Sequence, residues 1–275
     1  MLKPGPIGVF DSGYGGLTIL SEFQKILPQY DYCYLGDNSR APYGSRSFDV
    51  IYEFTKQAVE ALFDKGCNLV VLACNTASAK ALRTIQQKDL PLIAPDRRVL
   101  GIIRPTAEVV GGLSQTGHIG IFGTIGTIQS RSYELEIGKL FPEIRVVGEA
   151  CPMWAPLVEN REHDKAGADY FVKQHIDNIL ACDPAIDTLV LGCTHYPLLI
   201  DKIQKYLPSG IKIVSQGKYI AASLKEYLTR HPQMEQLCTK GRETDYYTTE
   251  SPQKFSDMAE VFLNKSISVN RISLE

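Results

Sequence analysis

Two cysteines fall at matching places along this chain, and a cysteine that can alternate between thiol and thiolate is both a nucleophile and a proton carrier. The segment Asn68-Leu-Val-Val-Leu-Ala-Cys74-Asn75-Thr76 recurs in outline as Asp187-Thr-Leu-Val-Leu-Gly-Cys193-Thr194-His195. In each, a short apolar run reads as a buried parallel strand that delivers a cysteine and polar groups at its carboxyl end. A second echo supports a duplication. The stretch from Ile7 to Gly16 resembles that from Ile119 to Thr127, again a strand breaking into a glycine-rich turn. Two related halves would face each other across a cleft, one thiol on each wall. That arrangement suits a chemistry that treats both faces of its substrate alike.

Other residues gain meaning from these neighbours. His195, two positions after Cys193, is a proton partner for that thiol if both share one side of an extended chain. Alone it would read as a hydrogen-bonded structural histidine. A helix starting just beyond each cysteine would present its positive amino terminus and favour thiolate. Asp11 and Ser12 open a glycine-rich turn, where helix capping is the plain alternative. That turn lacks the last glycine of GxGxxG, because Thr18 stands there, and it has no Walker lysine. A loop admitting a small ligand, with Asp11 near the reacting centre, fits better than a phosphate cradle. Cys33, Cys67, Cys151, Cys182 and Cys238 read as small buried hydrophobes.

Strand-like and helix-like segments alternate and supply the scaffold. Strands are expected at Ile7–Phe10, Tyr32–Leu35, Leu69–Ala73, Val99–Ile102, Ile119–Phe122, Arg145–Glu149, Thr188–Leu191 and Ile211–Val214. Helical patterns follow at Leu17–Leu27, Phe48–Lys65, Ala77–Gln87, Thr106–Leu113 and Ile220–Leu228. Thr244–Thr249 and Ile267–Leu274 read as late strands, the last joining the first sheet at its edge. The rhythm predicts an α/β fold of two pseudo-symmetric domains, each a mainly parallel sheet flanked by helices. The expected division is residues 1–103 plus 215–275 against 104–214. Ligands bind beyond the carboxyl ends of such strands, where Asp11, Asp37, Cys74, Thr124 and Cys193 all fall.

Bulk properties narrow the function classes. With 275 residues and a formal net charge of -2, the chain has ample core and no broad basic field for nucleic acid. No apolar run approaches the roughly 20 residues of a membrane span. Seven cysteines without CxxC spacing argue against a disulfide framework and a zinc ribbon. The amino terminus has no signal-peptide pattern, so a reducing, cytoplasmic setting is expected.

Six segments, in order, resemble the cofactor-independent glutamate racemases of bacterial cell-wall synthesis. They are Phe10–Gly16, Gly36–Gly44, Ala73–Ala77, Gly123–Thr127, Pro156–Glu159 and Gly192–Leu198. The resemblance spans nearly the whole chain and implies two α/β domains with the active site between them. It implies interconversion of L- and D-glutamate with no pyridoxal phosphate and no metal. Cys74 and Cys193 match the two catalytic thiols, Cys74 acting on D-glutamate and Cys193 on L-glutamate. Asp11 matches the group supporting the first thiol; His195 and Glu159 match those supporting the second. Asp11, Ser12, Tyr43, Gly44, Asn75, Thr76, Thr124, Thr194 and His195 match positions that bind substrate. A homodimer follows by the same analogy. One departure stands out: Ser215-Gln216-Gly217 replaces the Asp-Ser or Asp-Gly that many members carry after the Ile211–Val214 strand.

Three rival readings are an aspartate racemase with the same two-thiol logic, a thiol hydrolase built on Cys193 and His195, and a non-catalytic ligand-binding module. Neither of the last two gives the paired cysteines a purpose.

Overall fold

The computed structural model describes residues 2–274. Its strands are β1 (Ile7–Asp11), β2 (Tyr32–Gly36), β3 (Leu69–Leu72), β4 (Arg98–Gly101), β5 (His118–Gly123), β6 (Arg145–Ala150), β7 (Thr188–Gly192), β8 (Lys212–Val214), β9 (Thr244–Thr248) and β10 (Asn270–Arg271). They form two sheets, ordered β10-β9-β2-β1-β3-β4 and β6-β5-β7-β8. Every strand pairing in both is parallel.

The order β2-β1-β3-β4 is repeated by β6-β5-β7-β8. β1 therefore corresponds to β5 and β3 to β7, as the sequence echoes require. The thiol-bearing turns follow the equivalent strands β3 and β7. In both sheets the chain leaves its central strand for one side and returns on the other, which opens a crevice at the carboxyl ends of those strands.

Helices cover both faces, so the central strands β1, β3, β5 and β7 are largely apolar and buried instead of alternating. In β3, Leu69 and Val71 enter the core on one face, while Val70 and Leu72 enter the core on the other. In β7, Leu189 and Leu191 pack on one face and Val190 on the other. Burying each such side chain contributes roughly 1.5–3 kcal/mol. These rigid strands fix where the turns beyond them must lie.

Several expectations need correction. The helical pattern of Ala77–Gln87 is broken into helix Asn75–Lys80, a short turn Leu82–Thr84 and a widened π-type turn Ile85–Asp89, before helix Leu90–Ile93. Pro91 lacks an N–H and its ring crowds the carbonyl four residues back, so a regular α-helix cannot run through it. The helix expected at Thr106–Leu113 is Ile103–Val110, with Pro105 tolerated in its first turn. Of Ile267–Leu274 only Asn270–Arg271 pairs, alongside β9 at the sheet edge. Cys33, Cys67, Cys151 and Cys238 are buried as expected, but Cys182 is exposed at the end of helix Ala166–Cys182. A thiol carries little apolar area, so little free energy enforces its burial. No described helix is long and apolar enough to cross a membrane.

Candidate active site

A cavity of about 540 Å³ opens where the carboxyl ends of the two sheets meet. Cys74 and Cys193 both line it, one from the turn after β3 and one from the turn after β7. Ser12, Tyr43, Gly44, Asn75, Thr76, Thr124, Glu159, Thr194 and His195 line it too. A somewhat larger cavity, about 580 Å³, is lined by Lys80, Leu82, Arg104 and Tyr227 and includes neither thiol, so size alone does not select the site.

Cys74 is 5% exposed and occupies the cap position of helix Asn75–Lys80. Its sulfur lies 3.4 Å from the Ser12 hydroxyl. Burial, reinforced by the negative charge of Asp11, pushes this thiol up to about 12. Asp11 itself is 1% exposed and does not line the cavity; it stands behind the wall. Its carboxylate accepts from Gly13 N at 2.9 Å and, at 3.5 Å, from the Thr194 hydroxyl of the other half. Burial holds the Asp11 carboxyl above its usual range, although the His195 charge and backbone N–H groups oppose the shift. Its carboxylate thus contacts Thr194, which does line the cavity.

On the opposite wall, Cys193 Sγ lies 3.8 Å from His195 Nδ1. The extended chain expected there is absent: His195 has helical dihedrals, and the turn folds the ring back toward the sulfur. The expected pair of helix dipoles is also weaker than anticipated, since Cys74 precedes a helix of six residues and His195 only a four-residue 3₁₀ turn. The positive charge comes from His195 instead. Glu159 Oε1 approaches His195 Nε2 to 2.9 Å, off the ring N–H axis, and acts as an ionic partner. Burial would lower His195, but the Cys193 sulfur and Glu159 outweigh it and raise it to about 10. The ring is thereby held toward its imidazolium form, between the Cys193 sulfur and the Glu159 side chain.

Direct contacts tie the walls together. The Thr76 hydroxyl lies 2.9 Å from that of Thr124 and 3.3 Å from that of Thr127. Gly126 N donates to Gly44 O at 2.7 Å, and Thr18 Oγ1 donates to Thr194 O at 3.2 Å. Gly15 must be glycine because a Cβ there would enter the Thr194 hydroxyl and the His195 ring. Gly15→Ala is accordingly expected to cost about 1–3 kcal/mol in urea unfolding and to depress activity, because Thr194 and His195 must retreat. Unchanged stability together with unchanged activity would refute this close packing.

Known proteins resemble this chain over nearly all of its length. The sequence profile of Asp/Glu/hydantoin racemase matches residues 18–224. The chain belongs to this family. A glutamate racemase of Ruegeria sp. is 41% identical over 271 residues, covering 95% of this chain and 97% of the relative. The solved structure of a glutamate racemase from Bacillus anthracis superposes with a TM-score of 0.89 at 38% identity, covering 99% of this chain and 98% of that one. A glutamate racemase from Francisella tularensis, solved in complex with D-glutamate, superposes with a TM-score of 0.86 at 32% identity and 98% coverage of each chain. Racemases of this family thus share the fold over essentially its full extent.

Some lining residues were not anticipated from sequence. Tyr14, Asn38, Pro156 and Asn160 face the cavity, as do Lys254, Asp257 and Met258 from the late helix Pro252–Leu263. That helix carries no local chemical signature, and the packing of its Phe255 and Phe262 on Tyr14, Tyr34 and His195 brings it to the cleft. Asn38 and Tyr14 belong to segments the sequence had marked, but their own types suggest turn and core roles.

Proposed function

We propose that this protein interconverts L- and D-glutamate by moving the α-proton between Cys74 and Cys193, without pyridoxal phosphate or metal, and so supplies D-glutamate for peptidoglycan. The observation carrying this reading is that two thiols from topologically equivalent strand ends line one cavity. A single-base enzyme or a thiol hydrolase needs only one of them.

With L-glutamate, the Cys193 thiolate takes the proton as the Cα–H bond breaks, and the electron pair spreads into the α-carboxylate. The Cys74 S–H bond then breaks and delivers its proton to the opposite face of Cα. D-glutamate leaves behind Cys193 as thiol and Cys74 as thiolate, and exchange with water restores the starting state. The reverse reaction uses the same groups with roles exchanged. The His195 imidazolium beside Cys193 is the charge arrangement that supports a thiolate. Burial and the Asp11 charge favour the thiol form of Cys74, and a substrate ammonium would oppose the charge of Asp11 and ease its ionisation. Ser12, Asn75, Thr76, Thr124 and Thr194, with the backbone around Tyr43 and Gly44, supply the polar contacts that orient substrate and hold charge building on its carboxylate.

The working division is a first domain of residues 1–103 with 215–275 and a second of 104–214, closing on the substrate and excluding water. Close relatives named glutamate racemases favour glutamate over aspartate as substrate. A homodimer in the cytoplasm completes the reading by analogy with the family.

Incubation with L-glutamate in deuterated water should yield D-glutamate carrying deuterium at Cα, while aspartate stays unconverted. Glutamate that kept both its hand and its α-proton in the presence of folded protein would overturn the proposal. An acyl-enzyme trapped on Cys193 would favour the hydrolase instead.

A further inference from the structure

The triplet Ser215-Gln216-Gly217 lies where the chain passes from β8, the last strand of the second sheet, into helix Gly217–Arg230. Gln216 is 3% exposed, and its side-chain amide is committed on both sides. Oε1 accepts from Asn75 Nδ2 at 2.9 Å; Nε2 donates to Thr106 Oγ1 at 2.9 Å and also to the Tyr133 hydroxyl. Tyr133 OH in turn donates to Asn75 Oδ1 at 2.6 Å. Asn75, Gln216 and Tyr133 therefore close a ring of hydrogen bonds, and all three are buried.

Each partner stands at a mechanically significant place. Asn75 directly follows Cys74 and lines the cavity. Tyr133 lies against the turn that bears the other thiol, since a Cβ on Gly192 would sit 3.2 Å from its ring. Thr106 belongs to helix Ile103–Val110, where the chain first crosses toward the second sheet, and Gln216 lies where it crosses back. A buried polar network that is fully satisfied specifies one geometry, because any shift leaves a donor or acceptor unpaired. An asparagine amide has two N–H groups; the ring uses one on Asn75 and leaves the other for the cavity.

We propose that Gln216 is a positioning residue that locks the Asn75 amide for substrate and sets the spacing of the two thiol-bearing walls. This rests on the racemase reading of the same cleft. Gln216 touches no reacting atom. It acts through Asn75 on one side and Tyr133 on the other.

The test compares Gln216→Leu, Tyr133→Phe and the double variant in glutamate racemisation, with thermal melting on the same samples. Wild-type conversion of glutamate in that assay reports separately on the racemase reading. Gln216→Leu should raise KM for both hands of glutamate by about tenfold, equivalent to about 1.4 kcal/mol. The double variant should be little worse than the worse single one, because both substitutions break one ring. Thr106→Val removes the tether to the first crossing and a bond to Ile102 O but leaves the ring closed, so KM should stay within about twofold of wild type, and a KM raised as far as in Gln216→Leu would overturn the role of the ring. A folded Gln216→Leu protein with wild-type KM would overturn the proposal, as would a lowered melting temperature with KM unmoved. Strict additivity of Gln216→Leu and Tyr133→Phe would overturn it too. If Gln216→Leu fails to fold, Tyr133→Phe decides: a raised KM supports the ring, and a wild-type KM refutes it.

Discussion

Cys74→Ser and Cys193→Ser should each lower racemisation of glutamate by at least ~10²-fold while the protein stays folded. The substitution is nearly isosteric, and both side chains sit at the cavity wall, where neither is more than 7% exposed. Little packing is lost. What changes is acidity, because an alcohol is a far weaker acid than a thiol of reference pKa ~8.5, so serine cannot carry the proton. Each variant keeps one competent thiol, and that thiol still faces one side of Cα. Cys193→Ser should therefore retain slow exchange of the α-proton of D-glutamate with deuterated water, without inversion. Cys74→Ser should do the same for L-glutamate. Proton resonance at Cα, combined with chiral separation, distinguishes exchange from inversion. Full racemisation by either variant would end the two-thiol mechanism. Equal exchange of both hands by both variants would reverse or erase the assignment of each thiol to one hand.

How much of this was legible in sequence depends on how local the cause is. Parallel strands covered on both faces must be apolar throughout, so β1, β3, β5 and β7 stood out, and with them the cysteines at their ends. The pseudo-symmetry could be read from two short echoes because both sheets reuse one strand order. Helix continuity was less legible. Ala77–Gln87 has helical composition, but its first segment stops at Ala81 and the proline beyond its end excludes a regular helix through Leu90–Ile93. The relation between Cys193 and His195 was predicted from strand spacing and is produced by a turn, so the contact was right for the wrong geometric reason. Asp11 illustrates a subtler limit. Its motif placed it near the chemistry, but only the fold shows that it is buried and bonded to Thr194 from the other half. Gln216 was visible only as a departure from pattern. Its partners are 83 to 141 residues away, and no local propensity encodes a ring of that span.

His195→Asn should reduce kcat/KM by about 10²-fold, the cost of losing a positioned proton-transfer partner. The two hands of glutamate have equal free energy, so kcat/KM must fall equally in both directions for any variant. A defect on the Cys193 wall will therefore show as unequal changes in kcat and KM for the two hands, never as unequal ratios. The pH dependence gives a sharper signature. His195 is raised from 6.5 to about 10, so its charge stabilises the fold fully below pH 6.5, and that contribution fades as pH rises to about 10. The melting-temperature difference between wild type and His195→Asn should accordingly be greatest below pH 6.5 and shrink toward pH 10. Wild-type activity should decline on the alkaline side as the imidazolium beside Cys193 is lost, and His195→Asn should lack that limb. Glu159→Gln keeps the ring but removes the carboxylate 2.9 Å from Nε2, so its alkaline limb should move to lower pH. The shift follows because one of the charges holding the proton on His195 is gone. An alkaline limb unmoved in Glu159→Gln would show that this carboxylate does not set the charge of His195. A limb that survives in His195→Asn would show that the imidazolium is not the group titrating.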